Sequence, residues 1–526
     1  MSLLRKAFQP LGRLFGGAPP PKTTGGRRRV PGIDLHTKIT QHPGAVYKKG
    51  DFIGNNYEVF GVLGVGGFSA VYLVYSHETE SVYALKTLRD EFLEDDETRA
   101  QFRIEAKVWV DLERHPYIVR ANFIEELAGR LYIGMEYIPP NEDGINSLEG
   151  YLTRRPPDYQ QSLRWAIQFC HGMEYAHSKG IRCHRDVKPA NIMISPEKAV
   201  KITDFGFADV IDVSRAKAAT DFFSRRRRMA QEFSGFGTPT YMPPEQFRNA
   251  ARCDERSDIY SFGVVLYQMA AGGKLPYPAE AVLKQAGNDV PRFWREMHRL
   301  HTESPVRHLS SPLFPLIQRC LQKEPSGRYQ SFKDLRTDLD RLLRRKTGEV
   351  LPAGETEQLE TWELYNKAFS LSSLGHLEEA LVCYDKVLKV DPENADAWNN
   401  KGGCLRKLGR LPEALKCYDM SIRKNPHNAA AWSNKGNILY TIGKFTEAIV
   451  TLNKAIELDP QNESAWLNKG LVEEHLGLRR EAATSFRTFL LLNPVQYAAH
   501  IEYARTRLTE VLKPAKPGRK QRPKDR

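Results

Sequence analysis

The sequence contains no apolar run approaching the ~18 residues that a membrane-crossing helix requires. Its longest candidate, "IYSFGVVLYQMAAGG", is too short and carries Gln268, so it reads as a buried core helix. The seven cysteines, 170, 183, 253, 320, 383, 404 and 417, include no C-x-x-C pair, and their number is odd. That argues against a zinc ribbon, a dithiol redox motif or a disulfide framework, and for buried, reduced thiols in a cytoplasmic chain. Excess charge is missing from the body as well. The formal charge is +13, but residues 1–54 hold ten Lys/Arg against two Asp/Glu, and residues 511–526 hold seven against one. These tails sum to +14 and leave −1 for everything between them. Basicity belongs to the tails, so no specific nucleic-acid partner is expected. The first 29 residues lack any acidic side chain and place Leu4, Phe8, Leu11 and Phe15 on a rough helical stripe that Pro10 interrupts. They are read as a disordered tail, with a short membrane-surface anchor or a transit-like peptide as the alternatives.

At 526 residues, 41% hydrophobic and 27% charged, the chain has room for two to four globular domains. Its most regular feature is an internal repeat. Trp398, Trp432 and Trp466 recur every 34 residues, with Leu364 in the same slot one period earlier. Ala368, Gly402, Gly436 and Gly470 keep that period, as do Gly375, Gly409, Gly443 and Gly477. So do Ala380, Ala414, Ala448 and Ala482, then Pro392, Pro426, Pro460 and Pro494. Small residues let paired helices approach, the mid-repeat glycine ends the first helix, and proline breaks the chain before the next unit. The tryptophans read as core. These columns resemble tetratricopeptide repeats, four of them over 361–496, with "YAAHIEYARTRLTEVL" (497–512) as a capping helix and 513–526 as a basic tail. The resemblance implies a concave groove that holds a peptide or protein ligand. Asn366, Asn400, Asn434 and Asn468 are candidates to line it as an amide ladder; the bland alternative is that asparagine merely suits that helix face.

Upstream, "YEVFGVLG", "AVYLVYS" and "SVYALKTL" read as strands, and the rest of 57–343 turns mostly helical. "LGVGGFSAVYLV" joins two strands through glycines that allow backbone N–H groups to close over phosphates, although a plain hairpin turn is commoner. "VYALK" ends a strand in Lys86. "CHRDVKPANIMI" supplies a base, a cation and an amide within eight residues, and "ITDFGFA" adds Asp204. Taken in order and spacing, these motifs resemble the protein kinase fold. An α+β bilobal kinase domain over 55–343, N-lobe about 55–135 and C-lobe about 138–343, is therefore expected between the tail 1–54 and a linker 344–360. An all-α tetratricopeptide-repeat solenoid follows it.

The resemblance implies roles residue by residue. ATP is expected between the loop Leu63, Gly64, Val65, Gly66, Gly67, Phe68 and Ser69, with Phe68 at its tip, and the walls Val71, Ala84, Met135 and Met193. Ser69 departs from the glycine found there in the family. The hinge is Glu136, Tyr137 and Ile138. Lys86 is expected on the α- and β-phosphates and paired with Glu105; Glu113 is the alternative. Asp186 is the expected catalytic base, with Arg185 and Lys188 beside it, and Asn191 and Asp204 are expected on Mg²⁺, for which Mn²⁺ is a substitute. Lys188 and Thr238 mark serine/threonine specificity. Asp258 is expected to brace the catalytic loop and Arg328 to pair with Glu245. Since Lys86, Asp186 and Asp204 are all present, an active kinase acting on protein substrates is the reading; a pseudokinase scaffold is the alternative.

Between Asp204 and Glu245 lies "DFFSRRRRMAQEFSGFGTPTYMPPE", an enlarged activation segment. Thr220, Ser224, Ser234 and Thr240 are candidate phosphorylation sites, with Arg185 the residue type that receives such a phosphate. For Arg225 to Arg228 three readings stay open: solvated charge, control of loop ordering or substrate choice, and an address signal.

Overall fold

The computed structural model describes residues 46–206, 209–210, 238–287, 289–352, 359–492 and 498–512. The N-terminal stripe, Thr220, Ser224, Ser234, Arg225 to Arg228, Pro494 and the C-terminal basic tail lie outside them. Among the described residues no helix is long and apolar enough to cross a membrane, and all seven cysteines are free and buried.

The first half opens with a six-stranded sheet in the order β1-β2-β3-β4-β6-β5. Its strands are β1 (Phe52–Ile53), β2 (Tyr57–Val65), β3 (Ser69–Ser76), β4 (Ser81–Leu88), β5 (Ala121–Leu127) and β6 (Arg130–Glu136). The β-branched and aromatic residues of these strands suit a pleated, half-buried surface. Pairing is antiparallel, and Val71 faces Lys86 while Ala84 faces Met135 across the ladders. β4 lies between two neighbours, and its second half, Ala84 to Leu88, is buried on both faces. Helix α1 (Asp96–Leu112) turns Phe102, Glu105, Ala106 and Trp109 inward.

Beyond Glu136 the fold becomes helical. α2 (Tyr159–Ser178), α3 (Glu255–Ala270) and α4 (Phe332–Thr347) meet through Phe169, which stacks on Phe262 at 4.1 Å and touches Phe332 edge-on at 5.8 Å. α3 is the expected core helix, buried from Ser257 to Met269, and Asp254 with Ser257 closes its N-terminus in a capping box. Three short strands, β7 (Ile181–Cys183), β8 (Ile192–Ile194) and β9 (Val200–Ile202), carry the loops of the site. The expected linker start at 344 is displaced. α4 continues through Arg344, Arg345 and Lys346, cations that suit a helix C-terminus, and stops where Gly348 takes φ +72°. Glu349 then pairs with Arg164 at 2.7 Å.

The second half consists of helix pairs. The first helices are α5 (Thr361–Leu374), α7 (Ala395–Lys407), α9 (Ala429–Thr441) and α11 (Glu463–His475). Their partners are α6 (Leu377–Val390), α8 (Leu411–Lys424), α10 (Phe445–Leu458) and α12 (Arg479–Leu491), and α13 (Ala498–Leu512) ends the stack. Gly375, Gly409, Gly443 and Gly477 all adopt positive φ just past the first helices, a conformation that favours glycine. A Cβ on Gly402, Gly436 or Gly470 would lie under 3.0 Å from Tyr418, Leu452 or Phe486 of the paired helix. Of the three repeat tryptophans, Trp432 and Trp466 pack against buried core clusters of the repeats. All three are half-buried, because the indole N–H reaches the carbonyl of Pro392, Pro426 or Pro460 at 2.9–3.0 Å and the ring lies under Lys401, Lys435 or Lys469. α13 packs Ala504 and Val511 onto Phe486 and Phe489, covering the last pair.

Candidate active site

Lys86 sits on β4 with 7% of its surface exposed, so its ammonium must find partners inside the protein. It donates to Glu105 of α1 at 2.6 Å and to Asp204 at 2.8 Å. Burial alone would lower the Lys86 ammonium, but the Asp204 and Glu105 carboxylates outweigh it and hold the group above its ordinary range. Lys86 therefore stays charged. Glu113, the alternative partner, is the residue that ends α1; it takes φ +50° and pairs with Lys179 at 2.6 Å.

The segment after β7 is pinned from beneath. Asp258 of α3, 1% exposed, accepts from the backbone N–H groups of His184 and Arg185 at 2.7 and 2.9 Å, and from the Cys183 thiol. A buried carboxylate that takes several N–H bonds is well compensated. It also holds Arg185 at φ +65°, a conformation that costs free energy unless its surroundings fix it. Asp186 is thereby presented with defined partners: Lys188 Nζ donates to Oδ2 at 2.8 Å, and Asn191 Nδ2 donates to the same oxygen at 3.0 Å and to the Asp186 carbonyl at 2.9 Å. Because Asn191 spends its amide nitrogen on Asp186, its oxygen is the donor atom suited to a cation. Asp204, at φ +62°, bonds Lys86 through one oxygen and keeps 34% of its side chain exposed. A hard divalent cation fits this oxygen pair. Phe205, behind Asp204, is 1% exposed and packs edge-on to Trp109 of α1, linking the aspartate to the helix that carries Glu105.

The glycine-rich loop is a β2–β3 turn in which Gly66 N–H donates to the Ser69 carbonyl at 2.8 Å. Ser69 opens β3 at the position of the expected third glycine, and no positive φ occurs there. Phe68 lies in this turn, directly before Ser69, and its ring folds inward. It is 7% exposed and rests on Phe92 at 4.9 Å, because a large apolar ring is better buried than left at a tip. Leu63, Val71, Ala84 and Met135 lie on β2, β3, β4 and β6, Met193 on β8, and Glu136 ends β6 with Tyr137 and Ile138 directly after it. Two side chains here escaped sequence reasoning. Arg89 donates to the Gly66 and Gly67 carbonyls at 3.3 and 3.2 Å, and Lys201, opposite Met193 in the β8–β9 pair, donates to Glu136 at 2.8 Å. The only signal for Lys201 was its place three residues before Asp204.

Glu245 and Arg328 meet as expected, through two bonds of 2.7 and 2.9 Å, and Arg328 also caps three backbone carbonyls. Thr238 and Thr240 lie in a short 3-10 turn, Thr238–Tyr241, ahead of this pair. In the repeats, Asn400 Nδ2 donates to the Tyr365 hydroxyl at 2.8 Å and Asn434 Nδ2 to Asn399 at 3.0 Å, so the ladder residues tie neighbouring first helices together. Asn468 accepts from Asn437, and the Asn366 amide oxygen is buried without a partner among the described residues.

Comparison with known proteins agrees with this geometry. The family described as protein kinase domain matches residues 57–338, more than half of the chain. Tetratricopeptide repeat families match residues 365–429 and 436–477. Among curated relatives, serine/threonine-protein kinase PknB of Mycobacterium leprae is 34% identical over 300 residues, covering 55% of this chain and 43% of the relative. A probable serine/threonine-protein kinase of Clostridium perfringens is 29% identical over 293 residues, covering 56% and 39%. The chain thus spans less than half the length of the curated relatives it matches.

Proposed function

The chain belongs to the protein kinase family, and from that premise we propose that it transfers the γ-phosphate of Mg-ATP to serine and threonine hydroxyls of proteins. The observation that carries this reading is a pair of intact polar clusters: Lys86 is fixed by Glu105 and Asp204, and Asp186 by Lys188 and Asn191. In this reading Lys86 binds the α- and β-phosphates. Asp186 accepts the hydroxyl proton as that oxygen attacks, and Lys188, already 2.8 Å from the Asp186 carboxylate, offsets the charge developing on the transferred group. Asn191 and Asp204 would hold Mg²⁺, with Mn²⁺ as substitute; when bound, the ion neutralises charge between the phosphates. Adenine would lie between Val71, Ala84 and Met193, with Met135 behind it and the Glu136 to Ile138 backbone along its edge.

The repeats would raise the local concentration of a substrate or regulator by holding a peptide in the groove that Asn366, Asn400, Asn434 and Asn468 line. Seven free, buried cysteines favour a cytoplasmic setting. The test is to incubate purified protein with Mg-ATP and a generic basic protein and to map phosphosites by mass spectrometry, beside Asp186→Ala. Phosphoserine and phosphothreonine should appear with the wild type only. No transfer would favour a scaffold that assembles partners without catalysis. Deleting 361–512 should alter the set of proteins phosphorylated; an unchanged set would remove the docking role.

A further inference from the structure

The interfaces between successive first helices of the repeats are not alike. Between α7 and α9, Asp396 accepts from Asn428 Nδ2 at 3.2 Å, and Asn399 accepts from Asn434 Nδ2 at 3.0 Å. One period later, between α9 and α11, the slots of those two acceptors hold Ala430 and Ser433, while the donors remain as Asn462 and Asn468. Asn462 is 4% exposed and fixed in place, since its oxygen caps α11 by accepting from Ala465 N–H at 2.9 Å. Its Nδ2 has no partner among the described residues, nor does the Oγ of Ser433, which is 2% exposed. Asn468 Nδ2 reaches only Ser464, at 3.5 Å.

Where the two side chains are shortened, a cavity of about 710 Å³ opens, lined by Ala430, Ser433, Asn462 and Asn468. Arg406 and His500 also line it, and no aspartate or glutamate does. Buried donors left without acceptors are unfavourable, and a group that supplies an acceptor removes the penalty. The preceding interface shows one group that can do so. A carboxylate at the slot of residue 396 reaches the amide of the next repeat's cap, and the charge of the lining favours an anion.

Resting on the reading of the repeats as a peptide groove, we propose that this cavity receives an acidic side chain, aspartate or glutamate, from an extended polypeptide segment of the partner. The carboxylate stands in for Asp396, accepting from Asn462 Nδ2 and Ser433 Oγ near the Arg406 guanidinium.

The test uses the full chain and a library of short random segments displayed within a loop, so that neither terminus is free. Selected segments should share one acidic position, and as end-blocked peptides they should lose about tenfold in affinity when that residue becomes its amide. Ala430→Asp places the missing acceptor within the chain itself. It should weaken the acidic peptides about tenfold without lowering the melting temperature. Arg406→Ala, on an exposed side chain, should weaken them while leaving the fold intact. Segments that bind the groove equally well with the amide, or that ignore Ala430→Asp, would overturn the acidic site and leave the groove reading standing. If no segment binds at all, the groove reading itself falls.

Discussion

Lys201 of β9 and Glu136 at the end of β6 are joined at 2.8 Å, and the same Glu136 oxygen accepts from the Arg120 backbone N–H at 2.8 Å. One carboxylate thus connects the hinge, the chain entering β5, and the strand pair that carries Met193. Lys201 is 19% and Glu136 23% exposed at the side chain, so the pair is only partly screened by solvent. Lys201→Met should raise KM for ATP about threefold to tenfold, corresponding to ~0.7–1.4 kcal/mol, with a smaller change in kcat. Lys201→Arg should restore most of the loss. Steady-state kinetics at saturating protein substrate checks both; an unchanged KM would mean the pair only decorates the hinge.

In the proposed reaction Asp186 and Lys86 bear on the chemical step rather than on nucleotide affinity alone. Asp186→Asn keeps an acceptor for Lys188 and removes the base, so kcat should fall by ~10²–10⁴-fold while the fold persists. Lys86→Met removes a buried cation and leaves Glu105, 5% exposed, facing Asp204 without it. Its activity should fall at least as far, and its melting temperature should fall too, because a buried charge has lost its partner. Radiolabelled phosphate transfer with parallel thermal melts separates the two effects.

Glu125 of β5 is 3% exposed and accepts from the Tyr57 hydroxyl at 2.8 Å. Burial pushes its carboxyl up from 4.5 to about 7, with the Tyr57 bond acting the other way and Glu78 adding to the rise. A folded value above the unfolded one means the native state binds the proton more tightly. Its contribution is therefore full below pH 4.5 and is lost as pH rises through about 7. The interval corresponds to at most roughly 3 kcal/mol. Glu125→Gln keeps an acceptor for Tyr57 and cannot ionise. It should leave the melting temperature nearly unchanged at pH 5 and raise it at pH 8; a gain equal at both would assign the effect to packing.

Such features differ in how far a sequence discloses them. Lys86, Asp186, Asn191 and Asp204 could be singled out by motif order and spacing, and the fold brings Lys86 to Asp204 and Asn191 to Asp186. Glu105 and Glu113 stood as alternatives for Lys86, and the fold brings Glu105 to it while Glu113 pairs with Lys179. Lys201 and Arg89 were not legible, since a lysine in a strand or an arginine just past one is ordinarily solvated and only the folded chain shows which carbonyl or carboxylate it meets. That the Phe68 ring turns in to meet Phe92, twenty-four residues on, was not legible from local motif order. In the repeats, Ala430 and Ser433 are visible as departures from Asp396 and Asn399. That they orphan buried donors follows only from the lateral bonds between first helices.

Gly402 and Gly403 are neighbours inside α7 that should respond oppositely to alanine. Replacing glycine within a helix gains roughly 0.5–1 kcal/mol by restricting the unfolded chain. At Gly403 a Cβ meets nothing within 4 Å, so Gly403→Ala should stabilise the repeats by about that amount. At Gly402 the new Cβ would lie 2.8 Å from Cε1 and 3.0 Å from Cδ1 of Tyr418. Tyr418 is fully buried in α8, so its ring cannot swing into solvent. Overpacking of this kind costs ~1–3 kcal/mol, which exceeds the helix gain. Gly402→Ala should therefore lower the melting transition of the repeats while Gly403→Ala raises it, as read by circular dichroism at 222 nm, a wavelength at which helix signal dominates. If both substitutions stabilised the protein, the close approach of α7 to α8 would not be what requires glycine at this column of the repeat.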